Sequence, residues 1–269
     1  MAVELGVILP TSTPDPEHPI LGDVRASARL AEQAGLESVW STDHLIASAP
    51  MLDSTVTLAT AAAVTERIRI GFNVMLLALR PVAWAAKQIS TLQYVSGNRL
   101  MLGVGTGNPA HGDIGWRAAG VSFEQRGRLT DEALAVLPGL VSGKPTTVSE
   151  GLDVTLSPAA HMPPVLVAGN GNRARRRAAA YGDGWIVLRP DSTRLPSDIA
   201  HLRDLAEQHG RPTPGVTVVA PVLPTGPHAA AEALHDYASA GVERVILAPT
   251  GPDWQRDYAF AAEIRAALR

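Results

Sequence analysis

Cysteine is absent from the 269 residues, which excludes disulfides, thiolate metal ligands and a cysteine nucleophile. Lysine is confined to Lys87 and Lys144. Neither ends a strand-like run, so a barrel lyase or isomerase working through a Schiff base would lack its amine. No surplus of positive charge exists either: the formal net charge of -3 offers nothing in bulk to draw nucleic acid or an anionic membrane. Any anion must therefore be held locally. No apolar stretch reaches about 18 uninterrupted residues. The start of the chain, with Glu4 ahead of a short apolar run, lacks the basic segment and small-residue cleavage site of a leader. We expect a soluble cytoplasmic protein without a membrane partner. His18, His161, His201, His209, His228 and His235 form no i, i+4 pair with one another, so no metal is expected. A Gly-x-Ser-x-Gly elbow and a complete Walker phosphate loop are both missing.

What the chain does have is apolar side chain: 46% hydrophobic residues against 18% charged, ample for a core. Its preference for arginine over lysine, with abundant alanine, suggests a GC-rich bacterial genome. Short apolar runs suited to strands covered on both faces recur along its length at Leu5–Leu9, Ser38–Ser41, Ile68–Met75 and Leu100–Val104, then at Val165–Ala168, Trp185–Leu188, Val216–Val222 and Val245–Ala248. Helical patterns separate them: Asp23–Ala34, Ser54–Thr65, Val82–Val95, Glu124–Leu140, Arg173–Tyr181, Ser197–His209, Ala229–Ala240 and Trp254–Leu268. Glycines at 35, 97, 182, 210 and 241 read as helix stops. Strand and helix in strict alternation, with no linker or low-complexity tract, favour one (β/α)₈ TIM barrel over residues 1–269, a length such barrels commonly reach as a single domain. Three long connections, Thr11–Gly22, Asn108–Ser122 and Ser142–Pro164, read as loops at the barrel mouth, which would put His18 and His161 within reach of a substrate.

The second strand ends in Asp43-His44, so a barrel would place a carboxylate and an imidazole on the face where barrel active sites lie. The imidazole can move a proton near neutral pH, and the neighbouring carboxylate can orient it or bind a ring donor. The fourth strand leaves through Gly105-Thr106-Gly107-Asn108, with His111 just beyond; by itself this is a tight turn. After the fifth strand, Gly169-Asn170-Gly171-Asn172-Arg173 opens a helix, whose exposed N–H groups could hold a phosphate. Arg173, Arg176 and Arg177 fall at helical spacing and would make one basic face there.

The string from Ala28 to His44 resembles the first helix and second strand of the luciferase-like flavin and deazaflavin oxidoreductases. Further similar strings follow in order: Thr65–Gly71, Ser96–Gly107, Pro163–Gly169 and Tyr181–Trp185. That resemblance implies a barrel binding coenzyme F420 or FMN and transferring a hydride to or from a small organic substrate. It sets Asp43 and His44 beside the ring as catalytic residues, Asp43 also as a ring ligand. It implies a bulge at Asn73-Val74 with a non-prolyl cis peptide against one ring face. It brings the backbone of Gly105 and Gly107 close to the ring, with Thr106, Asn108 and His111 as polar neighbours, and places the cofactor phosphate at Gly169, Asn170, Gly171, Asn172 and Arg173. Some members carry a carboxylate where Asn108 stands; asparagine cannot titrate, which leaves proton transfer to His44 or His111. The basic helix face suits the longer, more acidic tail of F420. FMN with a monooxygenase activity is the alternative, and a barrel that binds flavin or phosphate without catalysis is another. Family members also commonly dimerise through helices flanking the second and third strands, so a homodimer is expected.

Overall fold

The computed structural model describes residues 3–11, 22–47 and 49–268. Most of the expected loop Thr11–Gly22, with His18, lies outside them. Eight parallel strands close a barrel in the order β1 (Glu4–Ile8), β2 (Ser38–Ser41), β3 (Arg69–Met75), β4 (Leu100–Val104), β7 (Val165–Ala168), β8 (Gly184–Leu188), β9 (Gly215–Val219) and β10 (Val242–Leu247), with β10 returning to β1. The long helices α1 (Val24–Gln33), α2 (Ser54–Ala63), α3 (Val82–Ser96), α5 (Arg126–Val141), α6 (Asn172–Tyr181), α7 (Leu195–Gln208), α8 (Pro227–Ser239) and α9 (Trp254–Ala267) connect successive barrel strands or follow the last. The TIM barrel is therefore as expected, with most element ends shifted by one to three residues.

Two layers of apolar residues make the core. Outside the sheet, residues such as Leu5, Val39, Ile70, Leu102, Val165 and Val245 pack under the helices. Inside, Trp40, Met101, Leu166, Ile186, Val219 and Ile246 fill the lumen. Trp40 is the largest of these, fully buried, and its indole Nε1 donates to Ser38 Oγ at 2.8 Å. The ring fits only because the neighbouring strands carry glycine: a Cβ on Gly71 would stand 2.3 Å from Trp40 Cε3.

Much of the string that carries the family resemblance clamps the closed end of the barrel. The Glu32 carboxylate accepts the backbone N–H groups of Glu66, Arg67 and Ile68. Burial opposes its charge, but these bonds hold its carboxyl below the ordinary range. Arg99 donates to the carbonyls of Ala62, Thr65 and Ile68, joining the α2–β3 turn to the start of β4. Gly35, Gly97, Gly210 and Gly241 end helices at positive φ, as expected. Gly182 does not: its φ is −93°, and its need is space, since a Cβ would lie 2.9 Å from Gly184 O.

One loop assignment is corrected. Residues 142–164 follow a helix and precede a strand, so they sit at the closed end and not at the mouth. There they form the antiparallel hairpin β5 (Thr146–Ser149) and β6 (Leu152–Val154). His161 goes with them, and its carbonyl accepts a bond from Gln93 Nε2 at 2.8 Å. The segment after β4 is at the mouth and holds a 3₁₀ turn, Pro109–His111, and the short helix α4 (Ile114–Ala118).

Candidate active site at the barrel mouth

β3 carries the bulge. Its register against β4 shifts between Phe72 and Met75, and the Asn73–Val74 peptide is cis, as the resemblance implied. The bulge turns Val74 onto β4, where a Cβ on Gly105 would lie 2.3 Å from Val74 Cγ2, so only glycine fits there. A cavity of about 730 Å³ opens over this point, within the range of small-ligand sites. Ile8, Val74, Ile186 and Val219 give it an apolar floor, and its rim is polar.

The expected residues gather there unequally. Asp43, His44, Asn73 and Val74 line the cavity, as do the exit of β4 from Gly105 to Asn108, His111, Gly169 and Asn170. Gly171 and Arg173 line a second, adjoining cavity, and Asn172 lines neither; its Oδ1 lies 3.0 Å from His201 Nε2.

Asp43 is buried and saturated. Its Oδ1 accepts Ser54 Oγ at 2.9 Å and Arg80 Nη2 at 2.8 Å, and its Oδ2 accepts the Leu76 N–H at 2.9 Å and Arg80 Nη1 at 2.7 Å. Instead of orienting His44, the carboxylate therefore ties the end of β2 to α2 and to the turn that leaves the bulge. The same bonding keeps the Arg80 guanidinium charged: desolvation acts against it, but Asp43 outweighs that and raises its pKa. Arg80 was not foreseen. Its one signal is an Arg-Pro step at the end of the 3₁₀ turn Leu77–Leu79, and its partner is far away in sequence.

His44 meets His111, their ring centroids 4.4 Å apart and their planes inclined at 61°. Burial lowers the His44 pKa, and the charge of His111 lowers it further; Asp43 pulls the other way. At neutral pH the imidazole is thus held neutral, ready to accept a proton. Asn108 is exposed, and its Oδ1 accepts the Ala110 N–H at 3.0 Å, capping the 3₁₀ turn that presents His111.

The loop before α6 is tightly constrained. Gly169 has φ +134°, and a Cβ there would strike Ala174 Cβ at 2.8 Å. Asn170 pairs both ways with the backbone of Leu188, through Nδ2 to the carbonyl at 2.7 Å and through Oδ1 to the N–H at 2.9 Å, which fixes the loop to the end of β8. No side chain caps α6 at Gly171; of the first-turn N–H groups, that of Ala174 bonds back to the Gly171 carbonyl at 3.0 Å. The adjoining cavity, about 980 Å³, runs on between α5 and α6 and shares Thr106, Ala168 and Gly169 with the mouth. Arg173 and Arg176 are exposed along it. Arg177, expected on the same basic face, is bonded to Asp131, through Nη2 at 3.0 Å and through Nε, which removes it as an anion ligand. Arg128 is likewise paired with Glu132.

A closed parallel barrel with its pocket at the C-terminal mouth places the molecule among the (β/α)₈ proteins. The chain belongs to the luciferase-like monooxygenase family, which it matches over residues 3–267. It is similar to an uncharacterized protein of Mycobacterium tuberculosis, 37% identical over 170 residues, covering 61% of this chain and 58% of the relative. It is also similar to the F420-dependent hydroxymycolic acid dehydrogenase of that organism, 30% identical over 207 residues, covering 68% of this chain and 56% of the relative. The chain thus spans less than two thirds of the length of these relatives. Among solved structures, an F420-dependent secondary alcohol dehydrogenase in complex with an F420–acetone adduct matches with a TM-score of 0.80 at 18% identity, covering 100% of both chains. At that identity the likeness is one of fold.

Proposed function

We propose that this chain is an F420-dependent oxidoreductase acting on a small organic substrate, with the deazaflavin ring in the mouth cavity and its acidic tail along the α5–α6 groove. The observation that carries this reading is the continuity of the two cavities through Thr106, Ala168 and Gly169. An apolar floor with a polar rim fits a flat tricyclic ring, and FMN, with its short tail, would leave most of the arginine-lined groove unused. The F420-dependent relatives support the same choice. When bound, the coenzyme would donate or accept the hydride. The chain's own part is to hold the ring over Val74 and Gly105, exclude water with the apolar floor, and handle the proton at a ring nitrogen of His44. In the oxidative direction the neutral imidazole accepts the proton of a substrate hydroxyl. A panel of alcohols, enones and imines, scored by bleaching or recovery of the bound coenzyme's visible band, tests the assignment.

The groove makes its own prediction. Replacing Arg173 and Arg176 together by alanine is expected to weaken F420 binding about tenfold or more, while binding of the tail-less deazaflavin nucleoside stays within about twofold. Because the contacts are exposed, F420 affinity should also fall as ionic strength rises past roughly 0.1 M. Equal losses for both ligands would place the tail elsewhere.

The outer face of α3 supports a homodimer. Trp84 and Tyr94 are 67% and 76% exposed there, and Val56 of α2 is 66% exposed, an amount of bare apolar surface that favours a partner. Sedimentation of the wild type should give a dimer, and Trp84→Glu a monomer with its barrel intact by circular dichroism.

A further inference from the structure

We infer that Arg189, with the small cavity beside it, is the subsite for the carboxylate of a small apolar acid; this rests on the reading of the mouth as the reaction site and names the substrate class for it. Three observations converge on it.

The first is backbone strain. Three non-glycine residues among those described have positive φ, namely Asn98, Arg189 and Ala220. Asn98 follows the helix-ending Gly97, a place and a residue type where this is ordinary. Arg189 at +43° and Ala220 at +49° are different: each has a Cβ that disfavours the conformation, and each directly follows a barrel strand. They are neighbours across the sheet, because Leu188 of β8 pairs with Val219 of β9. Such strain is kept where a site needs it.

The second is the space at that point. A cavity of about 380 Å³ lies over the ends of β9, β10 and β1 and shares Arg189, Ala220 and Ala248 with the mouth cavity. Its walls are Val7, Leu223, Leu247 and Phe260, with Pro221 and Pro249. The polar groups on it are already satisfied. Thr250 donates through Oγ1 and N to the Asp257 carboxylate at 2.6 and 2.9 Å, and the Tyr258 hydroxyl donates to the Ile8 carbonyl at 3.0 Å.

The third is charge. Among the described residues, Arg189 is the single arginine or lysine lining either the mouth or this side cavity, and its guanidinium forms no ion pair with any of them. Exposed at the neck of a chamber whose one carboxylate, Asp257, is engaged by Thr250, a cation with no ion pair among the described residues favours an anion with an apolar body. The planar fork of a guanidinium matches a carboxylate with two parallel bonds. Held there, the acid would have room for its apolar body in the side cavity.

The test is calorimetric titration of the purified protein, without coenzyme, using butanoate, hexanoate and octanoate as probes beside the matching primary amides. Hexanoate is expected to bind at least tenfold more tightly than hexanamide, with affinity rising up to about fourfold per methylene until the chamber is full. Arg189→Gln should abolish the preference for the acid and leave amide binding in place. Arg189→Gly, which relieves the strained φ, should do the same with a melting temperature no lower than wild type, separating a loss of the anion site from a loss of structure. Equal affinity for acid and amide in the wild-type protein would overturn the proposal. So would an Arg189→Gln variant that keeps the acid preference. Since these titrations contain no coenzyme, the two readings fail separately: a protein that binds the acids but no deazaflavin keeps this subsite and loses the coenzyme assignment, and the reverse result does the opposite.

Discussion

His44→Ala is expected to lower single-turnover hydride transfer by on the order of 10² to 10⁴, the usual range for loss of a general acid or base, while coenzyme affinity changes less than about threefold. The split follows from geometry, since the groups proposed to hold the anion, the loop from Gly169 to Gly171 and Arg173, follow β7, three strands round the barrel from the β2 end that carries His44. The pH profile makes the assignment more specific. Burial and the charge of His111 hold the His44 pKa below the ordinary imidazole value of about 6.5. Alcohol oxidation, which needs the neutral base, should therefore persist below that pH and fail only as pH drops through the lowered pKa. Removing His111 takes away one of the two depressing influences, so in His111→Ala the acid limb moves up toward the ordinary value; in His44→Ala it disappears. Stability has the same sign. With the folded pKa depressed, the unfolded chain binds more protons between the folded and unfolded values, so stability is fully present above about 6.5 and is lost as pH falls through that window. An unchanged rate and pH limb in His44→Ala would transfer the role to His111.

Asp43→Ala should show the opposite pattern, a large loss of stability. Its side chain is 4% exposed and that of Arg80 17%, so the substitution strands a charge in the protein and leaves the Leu76 N–H and the Ser54 hydroxyl without their acceptor. Breaking a buried pair from one side costs about 3–5 kcal/mol. Chemical denaturation should register most of that, and adding Arg80→Met to the Asp43→Ala background should recover part of it by removing the stranded charge. We take Asp43 to be a positioning residue: it holds the turn after the Asn73–Val74 bulge, and so the floor on which the ring would sit. Full stability in Asp43→Ala, with turnover lost, would instead make it a participant in the chemistry.

The barrel was legible because strands covered on both faces read as continuous apolar runs and most of the helix stops carry glycine. Where the reading failed, the cause was specific. The run Val216–Val222 looks like one strand, yet the pairing stops at Val219: Ala220 turns to positive φ and Pro221, a breaker visible in the sequence, has no N–H for the ladder. The hairpin at 146–154 has strands too short to stand out among prolines and glycines. Its misplacement at the mouth came from loop length alone, although any segment running from helix to strand must lie at the closed end. The site was legible as far as the family strings reached, which is why the bulge was expected where it occurs. Asp43 was read from its neighbour in sequence, whereas its bonds go to Ser54, Leu76 and Arg80. Arg177 was read from helical spacing, which cannot see Asp131 on the adjacent helix. Arg189 carries no pattern at all; only the strand pairing and the cavity single it out.

Whether the mouth and the α5–α6 groove together hold a deazaflavin coenzyme is decided by equilibrium titration of the purified protein with F420 and with FMN, followed by fluorescence quenching in low salt. F420 should bind at least tenfold more tightly than FMN, and the margin should disappear in the Arg173→Ala, Arg176→Ala double variant. FMN binding as tight as F420 or tighter in the wild-type protein would contradict that reading.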